Sequence, residues 1–202
     1  MNYMETAVNK SKQFELAAAH PLDDFYAQAG KSLPPLTQIE GEAVPEPHKA
    51  LLVHKNDMTP TLERFHQRSI HLRVLGRRQR GNDYYREVVL LLDGTDQPVE
   101  FGAIKINLDL VSPTVREQIL AEKRPVGHIL EEHKVPHRSR PSAFLRLASD
   151  PFINDALKLS GAQVLFGRHN TLLDESGRAF AEIVEILPPV KGKEERGRPA
   201  PG

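Results

Sequence analysis

The chain contains no cysteine. That absence excludes disulfide bonds, thiolate zinc sites and cysteine nucleophiles, while leaving the compartment open. It also lacks an excess of either charge: 27 Lys and Arg balance 27 Asp and Glu, giving a formal net charge of +0 and a pI of about 7.2. A neutral chain has no general surface for nucleic acid or for an acidic membrane. No apolar run approaches the ~20 residues of a membrane-spanning helix. Residues 1–19 carry acidic side chains and no sustained hydrophobic region, so no secretory signal is expected and the expected location is cytoplasmic. Gly76 and Gly81 stand too far apart for a phosphate-cradling loop, and no Gly-x-Ser-x-Gly elbow occurs. No internal repeat is visible, and 202 residues suit one domain with an appendage.

Among what is present, one stretch stands out: Tyr84-Tyr85-Arg86-Glu87-Val88-Val89-Leu90-Leu91-Leu92-Asp93-Gly94. β-branched and aromatic residues favour a pleated surface and Asp-Gly signals a turn, so this is a strand that ends in a hairpin. Alternation places Tyr84, Arg86, Val88, Leu90 and Leu92 on one face. If that is the core face, Arg86 is a guanidinium at the edge of a hydrophobic interior, where an unpaired charge is costly. It needs an anion. Two kinds qualify: a carboxylate of the protein, or the carboxylate of a ligand in a pocket.

Around this strand the chain divides into three. Residues 1–47 form a peripheral extension, with a short helix at 14–19, with Leu22, Phe25 and Tyr26 available to dock, and with a proline-rich connector from Ser32. Residues 48–190 form the body. Pro47 suits a first helical turn, and Thr59 with Pro60 suits a second helix start whose unpaired amides can hold an anion or simply be capped. Residues 70–75, 84–92 and 99–108 read as three strands of an antiparallel meander. Ser112-Pro113 opens a helix, Arg124-Pro125-Val126-Gly127 turns into another, and the charged segment 131–141 reads as a loop. Asp150-Pro151 opens a further short helix, and 164–173 with 180–187 form a closing hairpin. Residues 191–202, charged and rich in Gly and Pro, read as a disordered tail. The whole is an α+β fold.

Two further groups bear on chemistry. Glu185 shares a strand face with Ala181, Ile183 and Leu187, and a carboxylate among apolar neighbours tends towards the raised pKa of a general acid. Glu182 lies on the opposite face and is the rival, since the sequence leaves open which face is inward. His128, His133 and His137 have no matching carboxylate pattern for a metal site. Arg77-Arg78-Gln79-Arg80, beside Tyr84 and Tyr85, reads as a solvated turn rather than a single-strand nucleic-acid surface.

Four stretches taken in order resemble the chorismate pyruvate-lyase (4-hydroxybenzoate synthase) family: Asn56-Asp57-Met58-Thr59-Pro60-Thr61-Leu62-Glu63, Tyr85-Arg86-Glu87-Val88-Val89-Leu90-Leu91, Arg124-Pro125-Val126-Gly127-His128-Ile129-Leu130, and Phe166-Gly167-Arg168 followed by Glu185-Ile186-Leu187-Pro188. The resemblance covers roughly residues 48–190 and is that of a divergent member. It implies a sheet of about six antiparallel strands with covering helices, enclosing a small aromatic-acid pocket. It also implies removal of pyruvate from chorismate to leave 4-hydroxybenzoate, or a close variant on a related aromatic or enolpyruvyl acid, without any cofactor or metal, with a small acid as the partner and no nucleic acid or membrane. Arg86 would bind the substrate carboxylate, the backbone at Met58 and Val126 would add N–H donors, and Glu185 would be the acid at the hydroxyl end. Better-known members carry a second pocket arginine where this chain aligns Ala103, and Lys105 is the residue placed to take over that charge. The alternative function is a non-catalytic aromatic-acid binding module of the same fold, as in effector-sensing domains of transcription regulators. Residues 1–48 show no helix-turn-helix pattern.

Overall fold

The strand that carries Arg86 lies inside the sheet, flanked on both sides. The computed structural model describes residues 17–190. The expected tail at 191–202, and residues 14–16 of the helix expected at 14–19, lie outside them, while residues 17–19 are helical. Seven strands form one wholly antiparallel sheet: β1 (Leu36–Ile39), β2 (Ile70–Arg80), β3 (Asp83–Leu92), β4 (Gln97–Asn107), β5 (Arg138–Ala148), β6 (Val164–Leu173) and β7 (Ala179–Leu187), in the spatial order β1-β5-β6-β7-β4-β3-β2. The α+β antiparallel fold is the expected one, with the meander β2-β3-β4 and the hairpin β6-β7 in place.

Two strands escaped the periodicity. β1 falls in the proline-rich connector and pairs with β5 through Leu36↔Leu147 to Ile39↔Phe144. β5 begins inside the segment 131–141 expected to be a loop. Pro141 is tolerated there because the register shifts between Pro141 and Ala143, a bulge that needs no ladder donor from the proline. The expected basic loop at 77–80 is likewise the end of β2. Arg77 pairs with Glu122 at 2.5 Å, and Arg78 pairs with Asp24 at 2.6 Å while lying 4.7 Å from the Tyr85 ring.

Six helices that lie wholly within the described residues cover the sheet. On one face lie α1 (Leu22–Gln28) and α6 (Pro151–Leu157), which bury Leu22, Phe25, Tyr26, Ile153 and Leu157 against Val89, Leu91, Phe101, Ala103 and Val184. On the other face lie α2 (His48–Leu52), α3 (Met58–His66), α4 (Pro113–Leu120) and α5 (Val126–Glu132). These pack Leu52, Leu62, Val115, Ile119 and Ile129 over Tyr84, Leu90, Ile104 and Ile106. α1 and β1 thus belong to the packed body. Ser112 and Asp150 cap α4 and α6 by accepting from the Val115 and Ile153 amides at 3.3 and 2.8 Å. α3 starts two positions earlier than the Thr59-Pro60 pattern suggests, with Asp57 at its N-cap position. Glu63 accordingly stands past the first turn, where it accepts from the Ile70 amide at 3.0 Å. No described helix is long and apolar enough to cross a membrane.

Candidate ligand-binding site

β3 alternates as its sequence demands, so Tyr84, Arg86, Val88 and Leu90 face α3–α5, and Tyr85, Glu87, Val89 and Leu91 face α1 and α6. Arg86 is 2% exposed. Its Nη2 donates to the Arg124 carbonyl at 3.3 Å, while Nε and Nη1 have no partner. No carboxylate lies within salt-bridge distance of it among the described residues. Burial lowers its pKa, against a smaller opposing pull from Tyr84 and from the more distant Glu122, which is itself held by Arg77 and the Tyr84 hydroxyl.

Arg86 lines a cavity of about 60 Å³ between the sheet and the starts of α3 and α5. A water needs roughly 10–15 Å³ by the same measure, so the space is of the scale of a small compact acid. The sheet contributes Arg86, Val88, Leu90, Glu100, Ile104, Asn170, Leu172, Ile183 and Glu185 to its wall. The roof is Asp57-Met58-Thr59 and Pro125-Val126-Gly127. Neither helix start is capped by a side chain. Asp57, which stands at the N-cap position of α3, instead faces His137 Nε2 at 2.9 Å. The first amides of α3 are left with no intrahelical acceptor, close to a buried cation's free donors. Gly127 allows the two starts to meet: a Cβ there would lie 3.1 Å from Thr59 Oγ1.

The opposite end of the cavity is acidic. In the register, Arg86 pairs across Ile104 to Ile183, and Val88 across Gly102 to Glu185. Glu185 is therefore two strands over and one side-chain repeat along, roughly 12 Å from Arg86 at the backbone. It is buried and ion-paired with Arg168 Nε. Arg168 is 0% exposed and donates further to the carbonyls of Leu52, His54 and Asn56 at 3.2, 3.1 and 3.1 Å. Beside this pair stands Glu100, 5% exposed, whose Oε2 has no partner. Burial and the neighbouring Glu185 push its pKa well up, against a smaller opposing pull from Arg168. Gly102 leaves the room for both carboxyls, since a Cβ there would sit 2.7 Å from the Val184 carbonyl and 3.2 Å from Glu100 Oε1.

Of the residues singled out in the sequence, Met58, Arg86, Val126 and Glu185 all line the cavity. Lys105 does not. It lies on the other face of β4, as does Ala103, and is tied to Glu182 at 3.3 Å and Asp83 at 3.6 Å. The β4 residue opposite Arg86 is Ile104, and the other buried arginine, Arg168 of β6, stands behind Glu185 rather than on the cavity wall. Glu182 belongs with Lys105, outside the cavity. Glu100, Arg168 and Asn170 had no assigned role in the sequence. Their signal was available: Glu100 shares a face with Gly102 and Ile104 in an apolar strand, the same sign that marked Arg86. His128 faces Glu63 at 3.0 Å, and among the described residues no group of three or more metal-ligating side chains forms.

Solved structures have this architecture. PhnF from Mycobacterium smegmatis matches with a TM-score of 0.53 at 12% identity, over 67% of this chain and 65% of that one. What is shared is the fold. The effector domain of PhnF, solved alone, gives 0.49 at 12% identity over 65% of this chain and 87% of that chain. A GntR-family transcriptional regulator from Bacillus cereus gives 0.44 at 12% identity over 63% and 97%. No protein-family model matches the chain, and no curated protein does. The likeness to PhnF fits the expected α+β fold, an antiparallel sheet with covering helices.

Proposed function

We propose that the cavity binds a small organic acid, an aromatic or cyclic carboxylate of single-ring size, and that binding is the function of this domain. The observation that carries this reading is Arg86: a buried guanidinium with two unpartnered nitrogens on the wall of a cavity. A ligand carboxylate placed there accepts from Nε and Nη1, with the amides at Met58 and Val126 as further donors. The ligand thereby removes the penalty of an unpaired buried charge. Apolar walls at Val88, Leu90, Ile104, Leu172 and Ile183 suit a ring, and the polar end at Glu100 and Glu185 suits a hydroxyl or ether. The fold likeness to PhnF is compatible with binding alone, because one fold hosts binding and chemistry alike.

The acidic end favours a second reading, a lyase acting on chorismate. A carboxyl there would protonate the enolpyruvyl ether oxygen as its bond to the ring breaks, pyruvate leaves as the enol, and the ring loses a proton to become 4-hydroxybenzoate. Positioning and one tuned acid suffice for so favourable a step.

Calorimetric titration with 4-hydroxybenzoate and benzoate tests the first reading. Binding is expected, with a loss of about a hundredfold or more in Arg86→Ala, the effect of removing one partner of a desolvated charge pair. Failure of the wild type to bind any such acid overturns it. Incubation with chorismate, followed for pyruvate and 4-hydroxybenzoate, decides the second.

A further inference from the structure

The polar end of the cavity holds two carboxyls in different situations. Glu185 is already engaged, since its carboxylate is paired with Arg168. Arg168 in turn spends its other nitrogens on the carbonyls of Leu52, His54 and Asn56. Glu100 has neither a cation of its own nor a backbone donor for Oε2. The register sets it four residues and one strand from Arg86, roughly 14 Å at the backbone, too far for that guanidinium to serve as its counter-ion. The charged and titratable groups facing it are Glu185 of β7 and Arg168 of β6. Asn170 of β6, also on the cavity wall, is neutral and exchanges hydrogen bonds with Ser139 at 2.9 and 3.1 Å.

Charge accounting then fixes the protonation state. Arg168 and Glu185 cancel each other. A ligand carboxylate cancels Arg86. Asp57 of the roof faces His137 at the other end. An ionised Glu100 would leave one uncompensated negative charge beside Glu185 in the protein interior, whereas a protonated Glu100 leaves that end of the filled site neutral. A protonated carboxyl also has what the rest of that end lacks, an O–H that is free to donate.

We propose that Glu100 is the proton-bearing carboxyl of the cavity and donates a hydrogen bond to a neutral oxygen of the bound acid at the end remote from Arg86. This rests on the binding reading and narrows its ligand class. The acid carries a hydroxyl, ether or carbonyl oxygen opposite its carboxylate, and acids with a second ionised group at that position are rejected. Glu185, locked by Arg168, holds Glu100 in its protonated form.

The test compares 4-hydroxybenzoate with benzoate, which share the carboxylate and differ in the remote oxygen, by calorimetry from about pH 5 to about pH 8, below the titration of the phenol. The wild type is expected to prefer 4-hydroxybenzoate by about tenfold, the value of one well-placed hydrogen bond in a dry site. Glu100→Gln retains a donor and should retain the preference. Glu100→Leu should bind the two acids alike while still binding benzoate through Arg86. Infrared spectra supply a readout independent of any ligand: at neutral pH the wild type should show a protonated-carboxyl carbonyl band that Glu100→Gln lacks, over and above the contribution of buried Glu87 that the two proteins share. If the wild type binds acids but Glu100→Leu keeps the full preference, or if no acid band is lost in Glu100→Gln, the assignment to Glu100 fails and the binding reading stands. If the wild type binds neither acid, both fail together.

Discussion

Arg86 and Arg168 are both withdrawn from water, yet their situations are opposite. Arg168 is satisfied by one carboxylate and three carbonyls. Arg86 has one carbonyl. Replacing Arg168 with Leu strands Glu185 beside Glu100, and the expected loss of stability is about 3–5 kcal/mol by urea denaturation, typical of breaking a buried pair from one side. Replacing Arg86 with Met removes an unpaired buried charge of similar length and apolar stem. The ligand-free protein is therefore expected to gain about 1–3 kcal/mol in the same measurement while losing carboxylate binding, a pattern a purely structural arginine does not give. Arg86 was legible in the sequence because strand alternation alone places it among apolar side chains. Arg168 was not, because its carbonyl partners lie 112–116 positions away along the chain and belong to a turn without periodicity. Lys105 was misplaced for a related reason: the sequence leaves open which face of β4 is inward, and the side that carries Ala103 and Lys105 is turned away from Arg86.

At the scale of elements, the approach of α3 to α5 and the seating of α1 each hang on one position. Gly127→Ala puts a methyl against Thr59 and forces the two helix starts apart. Affinity for the acid should fall about tenfold or more, with a stability loss of about 1–3 kcal/mol for the overpacking, measured by calorimetry and by denaturation. On the far face, Glu87 of β3 is buried, with Oε1 unpartnered, and lies against Gly76 and the Phe25 ring of α1. Burial raises its pKa from 4.5 to about 7, with Lys31 opposing. Between those values the folded protein keeps a proton that the unfolded chain has released, so stability falls as pH rises through that window and is level above it. The loss is at most about 3 kcal/mol, and Glu87→Gln should abolish it in denaturation curves compared on either side of the window. β1 and β5 were invisible at this scale because an edge strand in a proline-rich connector and a bulged strand interrupted by Pro141 lack clean alternation. The charged alternation of 138–148 is nevertheless the pattern of a half-solvated strand, and was readable once Pro141 was allowed a bulge.

For the molecule as a whole, the site sits where β3, β4, β6 and β7 present one face to two helix starts, so occupancy bears on the entire fold. At a ligand concentration a hundred times Kd, binding adds about 2.7 kcal/mol to the stability, and Tm should rise by about 5–10 °C for a domain of this size. Scanning calorimetry with and without 4-hydroxybenzoate checks this, and Arg86→Met should show no rise. The architecture was foreseeable because the meander, the closing hairpin and the helices between them permit few antiparallel arrangements. The partition of charges around the cavity was not, since it depends on which strands become neighbours, and β7, the last strand among the described residues, is the one that stands between β6 and β4.

The fan of bonds from Arg168 to the carbonyls of Leu52, His54 and Asn56 ties an irregular surface-side segment to the middle of the sheet. Such a segment would ordinarily open and close on its own, ahead of global unfolding. Here opening strips a buried guanidinium of its three carbonyl acceptors beside two buried carboxyls, so residues 52–58 join the same cooperative unit as β6 and β7. Deuterium uptake there should accordingly follow the central strands rather than the loops, and it should become loop-like in Arg168→Leu. The roof of the cavity is in this sense folded by its floor.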